Sequence, residues 1–497
     1  MKARMIVSGT ALVLSCAIAI AVGAANLQSQ SKAAAAPAVL SGRGFNPQAG
    51  EASPEGRLLI GRGQDYSPLP GDPVQLAATF EGSMAERRRA AWRIVEAMLQ
   101  PQRLTVNGTT YDVPLWHTWY EGMGQNAEVQ QRIEMFIGEL AACRADPACS
   151  RTRAEIAREV VAASPTKNLV RSLAPNNFEQ VLTQFRDPGA NPSASLGRGF
   201  TLFSPSFLEH MLTEAEGVDR CSNRIAWDAP PPSQDQFSPC MREFPRSAVM
   251  VKTSWQRLDA ANPRISSHDT SAAGVRQVIR NGSWQVPPDT SPAGPSSIYT
   301  VEASNGQRYG LASIHFSTKD IRDWVWISLW WSPNPSGDFG QDRPASIGRY
   351  NGGVWAHYKM CVTTAFEEGD PAPWSSFAGQ PQLAAALRAS HEEIATQAGP
   401  PPYNRTTTWC SNPNLESHPG NGRTNCIGCH QYSHTWNRET DMQAEFSDTY
   451  AREFADQFPQ FGRSRRRLNF PAEFAWSFGF EFAPEIRSAR QRHHFEW

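Results

Sequence analysis

Lysine is scarce in this chain. Of 47 basic residues only six are lysine and the rest are arginine, a skew that base composition explains without any functional meaning. The formal charge balance is −1, so no global field steers the protein toward nucleic acid or an anionic membrane. Beyond the first 25 residues no run approaches the roughly 18 uninterrupted apolar residues of a membrane-crossing helix, so no transmembrane segment is expected in the mature chain. Repeats are missing too. The Cys-x-x-Cys-His pattern occurs once, which excludes a multihaem array, and amphipathic segments do not recur as they would in an outer-membrane barrel.

Cys426-Ile427-Gly428-Cys429-His430 is the stretch with the most specific chemistry. Two thiols three positions apart on one helical turn can each bond a porphyrin vinyl group. The histidine that follows is then carried over the iron as the proximal ligand. The expected cofactor is one covalently attached haem c, held by Cys426, Cys429 and His430. A thioredoxin-like pair would expect a βαβ setting, whereas Asn421 to Asn425 read as a loop leading into a short helix. A zinc site recruiting Cys426, Cys429, His434 and Cys410 is the other alternative.

The amino terminus supports export. Lys2 and Arg4 precede an apolar run from Met5 to Val22, and Val22-Gly23-Ala24 supplies small residues for cleavage, so 1–25 reads as a signal peptide and the expected location is the periplasm. Lipoprotein anchoring at Cys16 is the minor alternative. Setting aside Cys16 and the haem pair leaves six of nine cysteines. Proximity suggests Cys143–Cys149 and Cys221–Cys240, with Cys361–Cys410 remaining to tie the β region to the haem region.

Patterning implies an α+β fold. Residues 26–75 are Ala-, Pro- and Gly-rich and read as a flexible lead-in. Residues 76–240 form a mainly helical region, with helices expected at 85–99, 127–144, 151–164, 176–186 and 205–215 and a hairpin turning at Asn107-Gly108. Residues 241–366 form an antiparallel β core. It contains a strand from Ala248 to Trp255 and further Asn-Gly turns at 281, 305 and 351, the middle one joining Ile298–Val301 to Tyr309–Phe316. On the strand after Asp323, Trp324, Trp326 and Trp330 share one face, and Val325, Ile327, Leu329 and Trp331 the other, so both faces are buried. Residues 367–497 carry the haem motif, a helix from Gln382 to Ala395 and another near 440–456. The Arg463–Arg467 run reads as a solvated face. Phe474, Phe478, Phe480 and Phe482 alternate with Trp476 as on a strand with one aromatic face.

The iron's second axial position separates electron transfer from catalysis. Met442 lies a short loop beyond His430, whereas His434 follows His430 by one turn and falls on the same side. His315 sits on a predicted strand with Leu311, Ser313, Ser317 and Lys319 on its face, and with Lys252 it could form a polar distal pocket. His357, His418, His493 and His494 are lesser candidates.

Gly310–Trp326 (GLASIHFSTKDIRDWVW), Asp342-Arg343-Pro344, Asn425–His430 and Phe470–Ser477 resemble a bacterial family of exported cytochrome c family proteins with a single haem motif. The resemblance spans the β core to the aromatic tail. It implies haem-binding roles for Cys426, Cys429 and His430 and brings no substrate, because the family has no established activity. The expected function is periplasmic electron transfer with a redox partner protein. A haem-dependent peroxidase or oxygenase acting on a small molecule, a haem-based sensor and a zinc-stabilised binding protein are the other readings.

Overall fold

The computed structural model describes residues 38–41, 64–106, 109–122, 128–163, 200–222, 242–285, 288–294, 296–303, 308–397, 407–415, 421–430, 473–475 and 482–497. The fold is α+β. Its strands are β1 (Ala38–Ser41), β2 (Pro101–Val106), β3 (Thr109–Pro114), β4 (Tyr120–Glu121), β5 (Phe200–Phe203), β6 (Val249–Leu258), β7 (Arg264–Ser267), β8 (Asp289–Pro292), β9 (Thr300–Ala303), β10 (Arg308–Thr318), β11 (Val325–Trp331) and β12 (Tyr358–Thr363). The helices are α1 (Pro73–Gly82), α2 (Met84–Met98), α3 (Glu128–Ala145), α4 (Arg153–Ala162), α5 (Pro205–Thr213), α6 (Ala215–Ser222), α7 (Ala272–Asn281), α8 (Pro381–Gln397), α9 (Cys426–His430) and α10 (Ala483–Arg492).

The main sheet is organised around β10. One edge of β10 pairs with β6 along its length, and the other is shared by β9 and β11, with β12 beyond β11; every pairing is antiparallel. On one face, Val249, Val251, Ile314, Phe316, Val325, Ile327, Leu329, Met360 and Val362 join a large apolar cluster. Helix α2 adds Trp92, Ile94, Val95 and Met98 to it. Each such buried side chain contributes roughly 1.5–3 kcal/mol of hydrophobic stabilisation. Two arginines of α2 are buried with it and paired: Arg87 with Glu368 at 2.9 Å and Arg88 with Asp342 at 2.6 Å.

The opposite face is polar along β10. Ser313, His315 and Ser317 lie in register with Ser254, Lys252 and Met250 of β6 and with Trp330, Ser328 and Trp326 of β11. The two tryptophans point away from the first cluster into separate ones, as the alternation required. Trp324 precedes the strand at φ 67° and joins the cluster of Trp326, where α3, α4, α5 and α10 pack.

Four expectations need correction. A register shift between Leu311 and Ser313 adds a residue to β10, so Leu311 sits opposite Trp255 in the apolar cluster and not on the face of His315. Asn281-Gly282 ends α7: Gly282, at φ 73°, donates to the Val278 carbonyl as a C-cap. The aromatic tail is not extended where it is described, since Glu473 and Phe474 have φ 48° and 68° and Phe482 leads into α10, and Trp476, Phe478 and Phe480 lie outside the described residues. The lead-in is not loose throughout: β1 pairs with β9, and Tyr66 is buried with its hydroxyl on Asp320 at 2.9 Å. The expected helices at 176–186 and 440–456, the Arg463–Arg467 run and the turns at 107–108 and 305–306 lie outside the described residues, as does the expected Cys221–Cys240 bond.

Two disulfides are present among the described residues. Cys143–Cys149 closes the end of α3, and Cys361–Cys410 fastens β12 to the segment before the Cys-x-x-Cys-His turn, with Cα atoms 5.4 Å apart at a sequence separation of 49. Closing a loop of that length is worth about 4 kcal/mol by chain entropy. The double variant Cys361→Ser, Cys410→Ser should therefore unfold at clearly lower denaturant, by up to about 4 kcal/mol, and full reduction of the parent, which also opens Cys143–Cys149, should cost at least as much.

Candidate functional site

Helix α9 is a single turn, too short to hold itself together, and its geometry comes from its attachments. Asn425 caps it. Its Oδ1 accepts from the Gly428 N–H at 3.0 Å, and its Nδ2 donates to the carbonyls of Phe366 at 3.0 Å and Thr408 at 2.8 Å. A Cβ on Gly428 would stand 2.3 Å from Thr424 Oγ1, so any larger residue there would force the Thr424 side chain to move. One step back, Arg423 donates to the carbonyls of Ile279 and Arg280, placing a cation on the C-terminal end of α7. The Cys410 N–H bonds the Thr424 carbonyl at 3.2 Å, so the disulfide and the turn form one attachment.

Within the turn, Cys426 and Ile427 are buried in the cluster of Trp324 and Trp326. Cys429 lies three positions on, immediately before His430. The His430 ring lies 4.4 Å from that of Trp326, whose indole N–H is itself fixed on the Asp323 carbonyl at 2.9 Å. His430 Nδ1 meets the Phe474 carbonyl oxygen at 2.8 Å. A carbonyl can only accept, so Nδ1 carries the hydrogen and Nε2 carries the lone pair. A metal-ligating histidine has the same arrangement. Burial lowers the His430 imidazole to about 4, with the Phe474 contact opposing and Lys252 adding. His315 is held well below the ordinary imidazole value by burial first and then by Lys252 and His430. Both rings are neutral at pH 7, the form that coordinates a metal.

The expected site residues fall into two groups. Cys426, Cys429 and His430 share one turn, and His315 lies on the polar face of β10, with Lys252 its register partner on β6. Met442, His434 and His418 lie outside the described residues. His357 precedes β12 at its Trp331 end, about 20 Å along the strand from Thr363, which pairs with Trp326. His493 pairs with Glu134 at 2.7 Å, and His494 is exposed. Cys410 is consumed in its disulfide, which removes it from the zinc alternative. Among the described residues no three His, Cys, Asp or Glu side chains converge as a metal site. Lys319, expected beside His315 as part of a distal pocket, is engaged by Glu473 and Glu243.

Composition and spacing did not reveal the Phe474 carbonyl, because a backbone acceptor leaves no trace in residue identity. Asn425 was findable, as the N-cap residue type directly before a predicted helical turn. Comparison with known proteins adds no relative: no family model, no curated protein and no solved structure matches the chain.

Two measurements check this geometry. Asn425→Ala removes the cap and takes the Asn425 donor from the buried Thr408 carbonyl, while the Phe366 carbonyl keeps the Thr408 N–H at 3.1 Å, so it should cost about 2–4 kcal/mol in denaturant unfolding, and Asn425→Ser, which keeps the cap oxygen, should cost less. Burial raises the Asp323 carboxyl to about 8, against the pull of Lys319 and Arg322. The folded state then binds this proton more tightly than the unfolded chain, so Asp323 lowers stability progressively as pH rises from about 4 to about 8. Across that window the Asp323→Asn variant should lose less stability than the parent, measured by unfolding at each pH.

Proposed function

We propose that this chain is an exported c-type cytochrome carrying one haem, bonded through Cys426 and Cys429 and ligated by His430 Nε2. The observation that carries the reading is the His430 Nδ1 contact with the Phe474 carbonyl at 2.8 Å, in a Cys-x-x-Cys-His turn anchored by Asn425 and Arg423. These residues fit the group: two cysteines three positions apart in the sequence, a ring whose Nε2 lone pair is set by its other nitrogen, and apolar surroundings that include Trp326. When bound, the haem supplies a one-electron iron couple. The protein's own part would be to fix the ring of His430 and exclude water with Trp324 and Trp326, and His315, or Met442 outside the described residues, would supply a second ligand. Electron transfer with a partner protein in the periplasm is the function this arrangement supports best. The leader-like composition of residues 1–25 and two disulfides agree with an oxidising compartment. The Gly310–Trp326 and Asn425–His430 stretches that resemble exported monohaem cytochromes c are the same segments that meet at this site.

A haem-dependent peroxidase or oxygenase is the second reading, favoured by Lys252 beside His315. An imidazole with a cation next to it could also hold or move a proton for a small-molecule oxidant. Among the described residues no helix is long and apolar enough to cross a membrane.

Protein made with haem-maturation machinery decides between the two. The reading expects a Soret band retained under denaturing conditions, lost in Cys426→Ser, Cys429→Ser. A six-coordinate iron insensitive to carbon monoxide, turning carbon monoxide-sensitive in His315→Ala, supports the carrier with His315 as ligand. A parent iron that binds carbon monoxide readily supports the enzyme. Full covalent colour in the double serine variant contradicts both.

A further inference from the structure

The segment that supplies the Phe474 carbonyl is not at rest. Glu473 and Phe474 are consecutive non-glycine residues in the left-handed region, at φ 48° and 68°. That conformation costs about 1–2 kcal/mol per residue and persists only where the surroundings impose it. The imposing contact is a buried ion pair. Lys319, at the turn after β10, reaches Glu473 and the Arg322 carbonyl through its ammonium group and contacts Glu243 at 2.9 Å. Both Lys319 and Glu473 are at least nine-tenths buried. The Phe244 N–H points at the same Glu473 carboxylate, and the Lys319 ammonium lies 5.5 Å from the Trp324 ring centroid. Lys319 is placed by the sheet itself, its N–H on the Ala248 carbonyl at 3.1 Å.

We propose that the Lys319–Glu473 pair is a positioning device that clamps the 473–474 turn, so that the Phe474 carbonyl grips His430 Nδ1 and sets how strongly His430 donates to a bound iron. The inference rests on the haem reading and deepens it. The chain of causes is short. β10 fixes Lys319, Lys319 fixes Glu473, and Glu473 fixes the peptide whose oxygen accepts from His430. A firm acceptor at Nδ1 raises the basicity of the ligating nitrogen and favours the ferric over the ferrous state. A salt bridge that acted only on stability would leave the iron's potential alone.

The test uses haem-loaded protein and compares the parent with Lys319→Met, Glu473→Gln and Lys319→Arg. The reduction potential should rise in Lys319→Met and, to a smaller extent, in Glu473→Gln, and return to the parent value in Lys319→Arg. Exchange of the His430 Nδ1 proton with solvent should accelerate roughly tenfold or more in the first two. Should Lys319→Met fail to fold, the near-isosteric Glu473→Gln carries the decision. Lowered unfolding midpoints with unchanged potential and exchange overturn the positioning role and leave the haem assignment standing. A parent without covalent haem fails at its spectrum, before any variant is compared, and overturns both.

Discussion

One hydrogen bond constrains the rest: His430 Nδ1 to the Phe474 carbonyl. It fixes the tautomer of a buried imidazole, and it requires two segments 44 residues apart in sequence to meet at one place. Most of the surrounding structure can be understood as support for that meeting. Asn425 and Arg423 hold the turn that carries the histidine, and Lys319 holds the turn that carries the carbonyl. Both sets of supports are anchored to the central sheet or to the helix beside it.

The sheet is two-sided in chemistry as well as shape. Its α2 face is a conventional apolar core, where packing decides everything. The other face places hydroxyls, His315 and Lys252 along the middle strands, flanked by Trp326 and Trp330. The segment after Cys410 meets those hydroxyls directly, with Asn412 on Ser328 Oγ and Asn414 on Ser313 Oγ, each at 2.8 Å. Satisfied polar contacts of this kind specify one docking geometry better than an apolar contact would, because a misplaced segment leaves buried groups unpaired. The disulfide between Cys361 and Cys410 limits the same segment from its other end.

Much of this was legible beforehand. Strict alternation from Val325 to Trp331 separated the two faces of β11, and apolar periodicity located α2, α3, α4 and α5 to within a few residues. The failures have physical causes. Asn-Gly at 281 satisfies a hairpin turn and a helix C-cap equally, since both need a left-handed residue. The inserted residue in β10 has no sequence mark, yet it moves Leu311 to the other face. The aromatic alternation from Phe474 to Phe482 reads as a strand, whereas its first residue is bent by the 473–474 turn and its last opens a helix. At the site, the ligand-type side chains could be read from spacing, but the carbonyl that orients His430 and the ion pair that holds it depend on tertiary contacts alone.

The most direct measurement is the mass of the peptide containing Cys426 and Cys429, released by proteolysis from protein made where haem maturation operates. A single peptide heavier by one haem and carrying no free thiol is expected. The bare peptide mass, with both thiols open to alkylation, would contradict the haem assignment.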